Sequence, residues 1–403
     1  VLKIGQAGLI FMVVATVFAP GADALDLNGT DIHGFISQGW LKSDSNNYLA
    51  DSEDGSFQFN EMGINFNREL TDRLHVGIQL FARDQGDIGN NDVVVDWAYG
   101  DYHWRDCAGI RAGLIRIAHG LYNETRDMDM LRNSILLPQS IYPENWRDAF
   151  SRLQGVGIYG EITPENAGSF SYLIQAGGID VDNDGGVAKY LEGQLLFFDV
   201  KEFNIDIIYN GRLEWNTPVE GLRLGVTGFT IPEFDITLKS NVPLAPGMPA
   251  GIGATFDIDP FHGWVCAAEY TWENLTLSAE YMNLKIGGSI DNILPEFETT
   301  SEGYYLAAAW RFTDWFELGA YYSEYYPDKD DRDGKNFKDQ GLDDYRAWLK
   351  DFALTARFDI NEYWVAKLEG HVMDGAADLL PQDNPDGFDD RWFLFAAKVS
   401  FTF

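Results

Sequence analysis

From Ala397 to the end the chain alternates strictly: Ala397, Val399, Phe401 and Phe403 share one side, and Lys398, Ser400 and Thr402 share the other. A period of two is a strand with one apolar and one polar face. The same alternation marks residues 31–41, 57–68, 74–83, 93–104, 109–117, 156–162, 169–179, 189–199, 203–213, 222–231, 234–242, 263–272, 275–285, 303–312, 316–325, 351–359, 363–373 and 391–403. Short turns at 71–72, 105–108, 163–168, 200–202, 232–233, 273–274, 313–315 and 361–362 join these strands in pairs, and longer polar segments separate the pairs.

Strands of ~9–11 residues, with short turns at one end and long loops at the other, have the proportions of a membrane-spanning barrel. Several of the apolar faces, such as Tyr304, Leu306, Ala308, Trp310 and Phe312, carry no charge at all. No second apolar layer exists in the sequence to cover so many of them. A backbone in lipid must satisfy its own hydrogen bonds, so the sheet has to close, first strand against last. The expectation is an all-β fold: a transmembrane antiparallel up-and-down β-barrel of 18 strands. The number falls to 16 if 189–199 is a helix in a loop and 234–242 pairs with 252–258. Parity places Leu306 and Leu354 towards lipid and Thr355 towards water.

Residues 1–24 read as a secretory leader rather than part of the fold. Lys3 is followed by an apolar run over 7–18 and by the small-x-small pattern Ala22-Asp23-Ala24. The run is shorter than the ~20 apolar residues a spanning helix needs, and cleavage is expected before Leu25. The barrel then occupies 25–403. Cys107 and Cys266 lie far apart, on a turn and a strand, and suggest no disulfide framework. The net charge of −34 argues against a nucleic-acid partner. Much of the acid is concentrated between strands, in one group from Asp328 to Asp344 and another from Asp374 to Asp390.

On the polar faces fall Arg83, Arg111, Arg212, Arg223, Lys239, Arg311, Arg357, Lys367 and Lys398, balanced by Glu61, Asp96, Asp206, Asp235, Glu269, Glu280, Glu317 and Glu369. Such a wall lines a water-filled lumen with charge of both signs and predicts no strong ion preference of its own. The segment 118–154 does not alternate. It is too apolar (Ile135, Leu136, Leu137, Ile141, Tyr142, Trp146, Phe150) to extend into water. Packed inside the barrel, it would hold Glu124, Arg126, Asp127, Asp129, Arg132, Arg147, Asp148 and Arg152 in the channel. Arg126 and Arg132 would then govern ion selectivity more than the outer aspartates, which bulk electrolyte screens.

At this segment the chain resembles the bacterial porins, in which the third external loop folds inward and narrows the channel. Gly120-Leu121-Tyr122-Asn123 through Leu137-Pro138-Gln139-Ser140-Ile141-Tyr142 looks like segments of uncharacterised proteobacterial porin-like proteins. The terminal Phe403 also resembles the assembly signal of outer-membrane barrels. The resemblance implies a bacterial outer-membrane location, contact with lipid and lipopolysaccharide, and passage of small hydrophilic solutes, with a homotrimer as one assembly. It does not extend to the phosphate-selective porins, because the loop contains no lysine and its arginines are mixed with acids.

Asp180, Asp182 and Asp184 have the spacing of the first half of a calcium loop. Leu191 stands where a bidentate glutamate is required, so only weak Ca²⁺ or Mg²⁺ binding at an acidic external loop is expected. No Gly-x-Ser-x-Gly, His-Glu-x-x-His, Cys-x-x-Cys-His or nucleotide loop is present. The sequence therefore predicts a passive porin without cofactor. Alternatives are a porin specific for an organic acid, sugar, peptide or oxyanion, or a barrel enzyme or sheath for an electron-transfer partner.

Overall fold

A computed structural model describes residues 25–26, 28–86, 88–195, 197–243, 249–290 and 293–403; the predicted leader lies outside them. In chain order the strands are β1 (Leu25–Asp26), β2 (Asp31–Ser43), β3 (Phe59–Thr71), β4 (Leu74–Gln85), β5 (Val94–Arg105), β6 (Ala108–Arg116), β7 (Arg152–Ile162), β8 (Ser169–Gly178), β9 (Phe198–Asn204) and β10 (Ile208–Asn216). They continue with β11 (Leu222–Ile231), β12 (Phe234–Ser240), β13 (Gly253–Trp272), β14 (Leu275–Ile290), β15 (Leu294–Thr313), β16 (Phe316–Tyr326), β17 (Leu349–Asp359), β18 (Trp364–Gly375) and β19 (Arg391–Thr402). Among the described residues two helices, α1 (Gly186–Leu195) and α2 (Lys335–Asp339), lie between strands.

The antiparallel neighbours β2 to β8, β10, β11 and β13 to β19 form a closed barrel of 16 strands. Closure joins β19 to β2, with Phe401 opposite Ile36 and Ser400 opposite Ser37. The Phe403 and Gly34 backbones exchange hydrogen bonds at 3.0 Å in both directions. The terminal aromatic strand thus seals the seam. Its exposed neighbours Phe393 and Phe395 join Leu306, Phe352, Leu354 and Val372 on an apolar outer face, and Leu306 is 68 % exposed.

The count of 18 is corrected to its alternative, 16, for two local reasons. Residues 189–195 belong to α1, where Val187, Leu191 and Leu195 recur every four residues and put one helix face against the apolar interior. The predicted turn 200–202 falls inside β9. The predicted turn at Pro232-Glu233 is instead a break in one line of chain: proline has no N–H for the ladder. β12 carries β11 onward and pairs with the first part of β13, Phe234 opposite Ile258. β9 in turn leads into β10 and pairs with β12, Asp235 opposite Asn204. Two barrel strands therefore extend past the rim as a small flap, where two hairpins were predicted.

Thr355 is a second correction. It lies on the face opposite Leu354 but is 2 % exposed, and its hydroxyl donates to the buried Glu369 carboxylate. The face of β17 and β18 that carries Thr355 and Glu369 is covered by chain. One apolar cluster there joins Tyr48 and Leu49 from the first loop, Ile135 and Leu136 from the third, and Ala376, Ala377 and Leu379 from the last. A second lies under α1 and the flap, around Ile115, Ile208, Phe229, Ile236 and Phe261. A third gathers Leu137, Ile141 and Tyr142 on Val265, Met282 and Tyr305.

Candidate pore constriction

The stretch between β6 and β7 contains single 3₁₀ turns at Asn123–Thr125, Asp129–Leu131 and Glu144–Trp146. It has little regular structure to satisfy its own backbone, and the strands supply the missing partners. Ala118 N–H donates to Asn210 on β10 (3.0 Å), and Gly120 N–H donates to Thr227 on β11 (2.9 Å). Leu121 N–H and the Tyr142 hydroxyl both donate to Glu280 on β14, which also accepts from Tyr305 on β15. Asn133 donates to Glu317 on β16 (2.8 Å). Arg357 on β17 donates to the Met130 and Arg132 carbonyls, each at 2.9 Å. On β18, Glu369 accepts from Ile135 and Leu136 N–H at 2.8 Å, and Lys367 donates to the Asp129 and Ser134 carbonyls.

The charged side chains predicted for this segment fall into two groups. Arg126, Asp127, Asp129, Arg132 and Arg147 are tied into ion pairs with one another or with the wall. Arg126 pairs with Glu144 (2.7 Å), Arg132 with Asp129 (2.9 Å), and Arg147 with Glu61 on β3. Lys398 on β19 reaches both Glu61 (2.7 Å) and Asp129 (2.9 Å). Arg83 on β4 binds Glu144 (3.3 Å) and Asp148 (2.9 Å). Asp127 takes Arg116, which ends β6, at 2.7 Å, and Gln79 on β4 at 2.6 Å.

Burial alone would raise the Glu144 carboxyl, but Arg126, Arg147 and Arg83 hold it down to about 2. Against the same effect of burial, Lys398, Arg132 and Lys367 bring Asp129 to about 2. Arg126 is lowered to about 10, because burial outweighs its pairing with Glu144. His119 is pushed down to about 4 by burial, against the pull of the Ile141 carbonyl, and is neutral at pH 7. It packs on Phe150, with ring centres 5.2 Å apart.

The second group is partly open. Glu124 pairs with Arg212 on β10, their side chains 27 % and 29 % exposed. Arg111 on β6 pairs with Asp101 (2.8 Å), Arg223 on β11 with Glu269 (2.9 Å), and Arg311 on β15 with Glu317 (2.7 Å) and Asp359 (2.8 Å). Arg152, at the start of β7, lies opposite Arg116 and is half-buried. The predicted wall residues Arg83, Arg357, Lys367, Glu369 and Lys398 thus belong to the buried set, and Arg111, Arg212, Arg223 and Arg311 to the open one.

Several participants escaped the sequence reading, among them Glu144, which Arg126, Arg83 and Arg147 share. Arg116 bridges Asp96 and Asp127 from the end of a strand, where alternation is lost. His371 lies between Asp351 (3.0 Å) and Glu369 (3.1 Å), deep in the wall. It shares strand parity with Lys367 and Glu369, and Asp351 shares it with Thr355 and Arg357, so a period-two reading extended to these positions would have found both. Asp180, Asp182 and Asp184 do not converge as a cation site: no group of three or more His, Cys, Asp or Glu among the described residues is disposed to hold a metal. The chain turns into α1 there, with Gly185 N–H bonded to the Asp182 carbonyl. Burial, Asp148 and the two neighbouring aspartates raise the Asp182 carboxyl.

No protein-family model and no curated protein matches the chain. Solved structures do. OmpT of Vibrio cholerae superposes with a TM-score of 0.58 at 11% identity, over 94% of this chain and 100% of that one. The outer-membrane channel DcaP of Acinetobacter baumannii gives 0.54 at 10%, over 93% and 99%. An anion-selective porin from Comamonas acidovorans gives 0.54 at 11%, over 93% and 99%. The chain has the 16-stranded fold of the outer-membrane porins.

Proposed function

We propose that this chain is an outer-membrane channel for passive diffusion of small hydrophilic solutes, and that residues 118–154 lie inside the barrel and narrow it. The observation that carries this reading is the ring of wall partners taken by one loop, from Glu61 and Arg83 through Asn210, Thr227 and Glu280 to Glu369 and Lys398. A segment covering the outside of the mouth would meet loop residues, not side chains on so many strands. The apolar outer face supports insertion in lipid, and the partly open charged pairs support a wetted path beside the loop. The near balance of basic and acidic wall residues favours weak ion selectivity.

The filled space beside β17 and β18 favours a narrower second reading, a porin that admits few solutes. Single-channel recording in planar bilayers tests the main proposal. Stable ohmic steps in KCl are expected, and liposomes carrying the protein should swell in small sugars but not in large ones. A folded, inserted barrel that passes no current would overturn it. Protein recovered from outer membranes is expected to begin at Leu25, and chemical cross-linking should report a trimer.

A further inference from the structure

Beside the loop, on the short-turn side, lies a cleft of about 500 Å³ whose lining includes His103, Arg111, Glu124, Tyr159, Glu161 and Arg212. That volume suits a small organic solute. Arg111 is held in place by its own surroundings: its guanidinium lies 4.4 Å from the Tyr99 ring centre and 5.2 Å from that of Tyr159. Its Nε and Nη2 atoms go to Asp101 at 2.8 Å, and Nη1 has no partner among the described residues. Arg212 donates only from Nη1, to Glu124, and its Nη2 has no partner among the described residues. Two guanidinium groups with unused donors therefore border one cleft. Guanidinium donors of this kind suit a carboxylate.

A simple anion is nevertheless a poor fit. Glu124 and Glu161 border the same cleft, and Asp106, fully exposed, lies 3.5 Å from His103 at its edge. A lone carboxylate would meet these acids, and a lone amine would meet the arginines. A solute carrying both charges has a partner for each.

We propose that this cleft is a binding site for a zwitterionic small solute of the α-amino acid type, with its carboxylate on Arg111 and Arg212 and its ammonium towards Glu124 and Glu161. The site rests on the channel reading, since it stands beside the path that reading assigns, and it names the solute class that path would favour. Tyr159, Tyr172 and Leu173 also line the cleft, so residues of moderate size fit better than glycine.

Calorimetric titration of the folded protein in detergent tests the site with three probes of one carbon skeleton: leucine, 4-methylpentanoate and 3-methylbutylamine. Leucine is expected to bind, and each singly charged analogue about tenfold or more weakly, because each leaves one set of charges unmatched. Arg212→Gln should weaken leucine by a similar factor, while Arg212→Lys, which keeps the charge beside Glu124, should recover part of it. Equal binding of 4-methylpentanoate and leucine would make the cleft an anion site and overturn the proposal, as would absence of leucine binding to the unaltered protein, which needs no variant to be informative. Conductance in KCl is read separately. A protein that conducts but ignores leucine loses the site and keeps the channel; one that binds leucine but passes no current loses the channel and keeps the site.

Discussion

Two sides of the barrel wall treat the same chemistry in opposite ways. Along β16 to β19 and β2 to β4, acids and bases are packed under loop and wall. Lys398 touches Glu61 and Asp129, Arg126 touches Glu144, and His371 sits between two carboxylates, with almost no surface left. Along β6 to β15 the pairs Arg111–Asp101, Arg212–Glu124, Arg223–Glu269 and Arg311–Glu317 keep part of their surface open. Charge on the first side positions the loop, because a buried ion must be matched where it stands. Charge on the second side stays within reach of water, and on the proposed channel reading it would face a passing solute. The same residue types thus build a packed support for the loop on one side and a partly open charged surface on the other.

The largest difference between the sides should appear in stability. Lys398→Met leaves Glu61 and Asp129 buried with one cation fewer, and breaking a buried set of this kind costs about 3–5 kcal/mol. Arg212→Met removes a pair that water already reaches, for about 1 kcal/mol or less. Urea unfolding of the barrel in lipid, followed by tryptophan fluorescence, measures both. Equal losses would mean that the two sides are not energetically distinct.

Much of this division was hidden in the sequence for a physical reason. Alternation reports which face a side chain is on, so Arg83, Lys367, Glu369 and Lys398 were legible as inner-wall residues, and 118–154 as a loop too apolar for water. The barrel, its closure and the 16-strand alternative follow from the same period. What covers an inner face depends on segments distant in sequence. Thr355 has the pattern of a water-facing residue, yet it is buried next to Glu369, which binds the third loop. Arg126 and Arg212 are both arginines among acids, and only packing separates them. The strand count failed because 189–195 is helical and 200–202 lies inside β9, and because a break at Pro232-Glu233 and a turn leave the same gap in alternation.

A smaller effect concerns how far the packed side reaches towards the mouth. Asp378, in the last loop, accepts the Tyr48 hydroxyl of the first loop at 3.3 Å, and the Asn145 amide of the third loop bonds to its carbonyl. Burial, with Glu144 nearby, pushes its carboxyl up to about 7, against the Tyr48 bond. The unfolded value is ~3.9, so the folded loop holds the proton longer than the unfolded chain. Its stabilising share is complete below about pH 4 and is lost as the pH rises towards 7, at no more than about 1.4 kcal/mol per unit. Glu144 and Asp129, held near 2, act in the other direction: their share is complete above about 4.5 and is lost as the pH falls towards 2. Hydrogen exchange over residues 376–390, corrected for its intrinsic pH dependence, should quicken from pH 4.5 to 7, and Asp378→Asn should flatten the trend. An unchanged slope in that variant would detach the last loop from the packed side.

The finest contrast is in ion selectivity. A fixed charge biases passing ions only where they approach it without intervening counter-charge. The Arg126 side chain is 5 % exposed and matched by Glu144, which Arg83 and Arg147 also hold. Replacing it by glutamine redistributes a field that is already enclosed. Arg212 is more accessible, and its removal leaves Glu124, partly open to water, without its cation. A unit charge at ~4 Å in water is worth about 1 kcal/mol, so Arg212→Gln should raise the cation-to-anion permeability ratio roughly fivefold at low salt. With a Debye length of ~3 Å at 1 M, most of that shift should vanish in concentrated KCl. Arg126→Gln should move the ratio by less than about twofold at either concentration, since its charge is compensated within the packed set. Reversal potentials under a KCl gradient, taken at two mean concentrations, measure each variant. A larger and salt-insensitive shift for Arg126→Gln would place the ion path on the packed side, and the open pairs of β6 to β15 would then be bystanders.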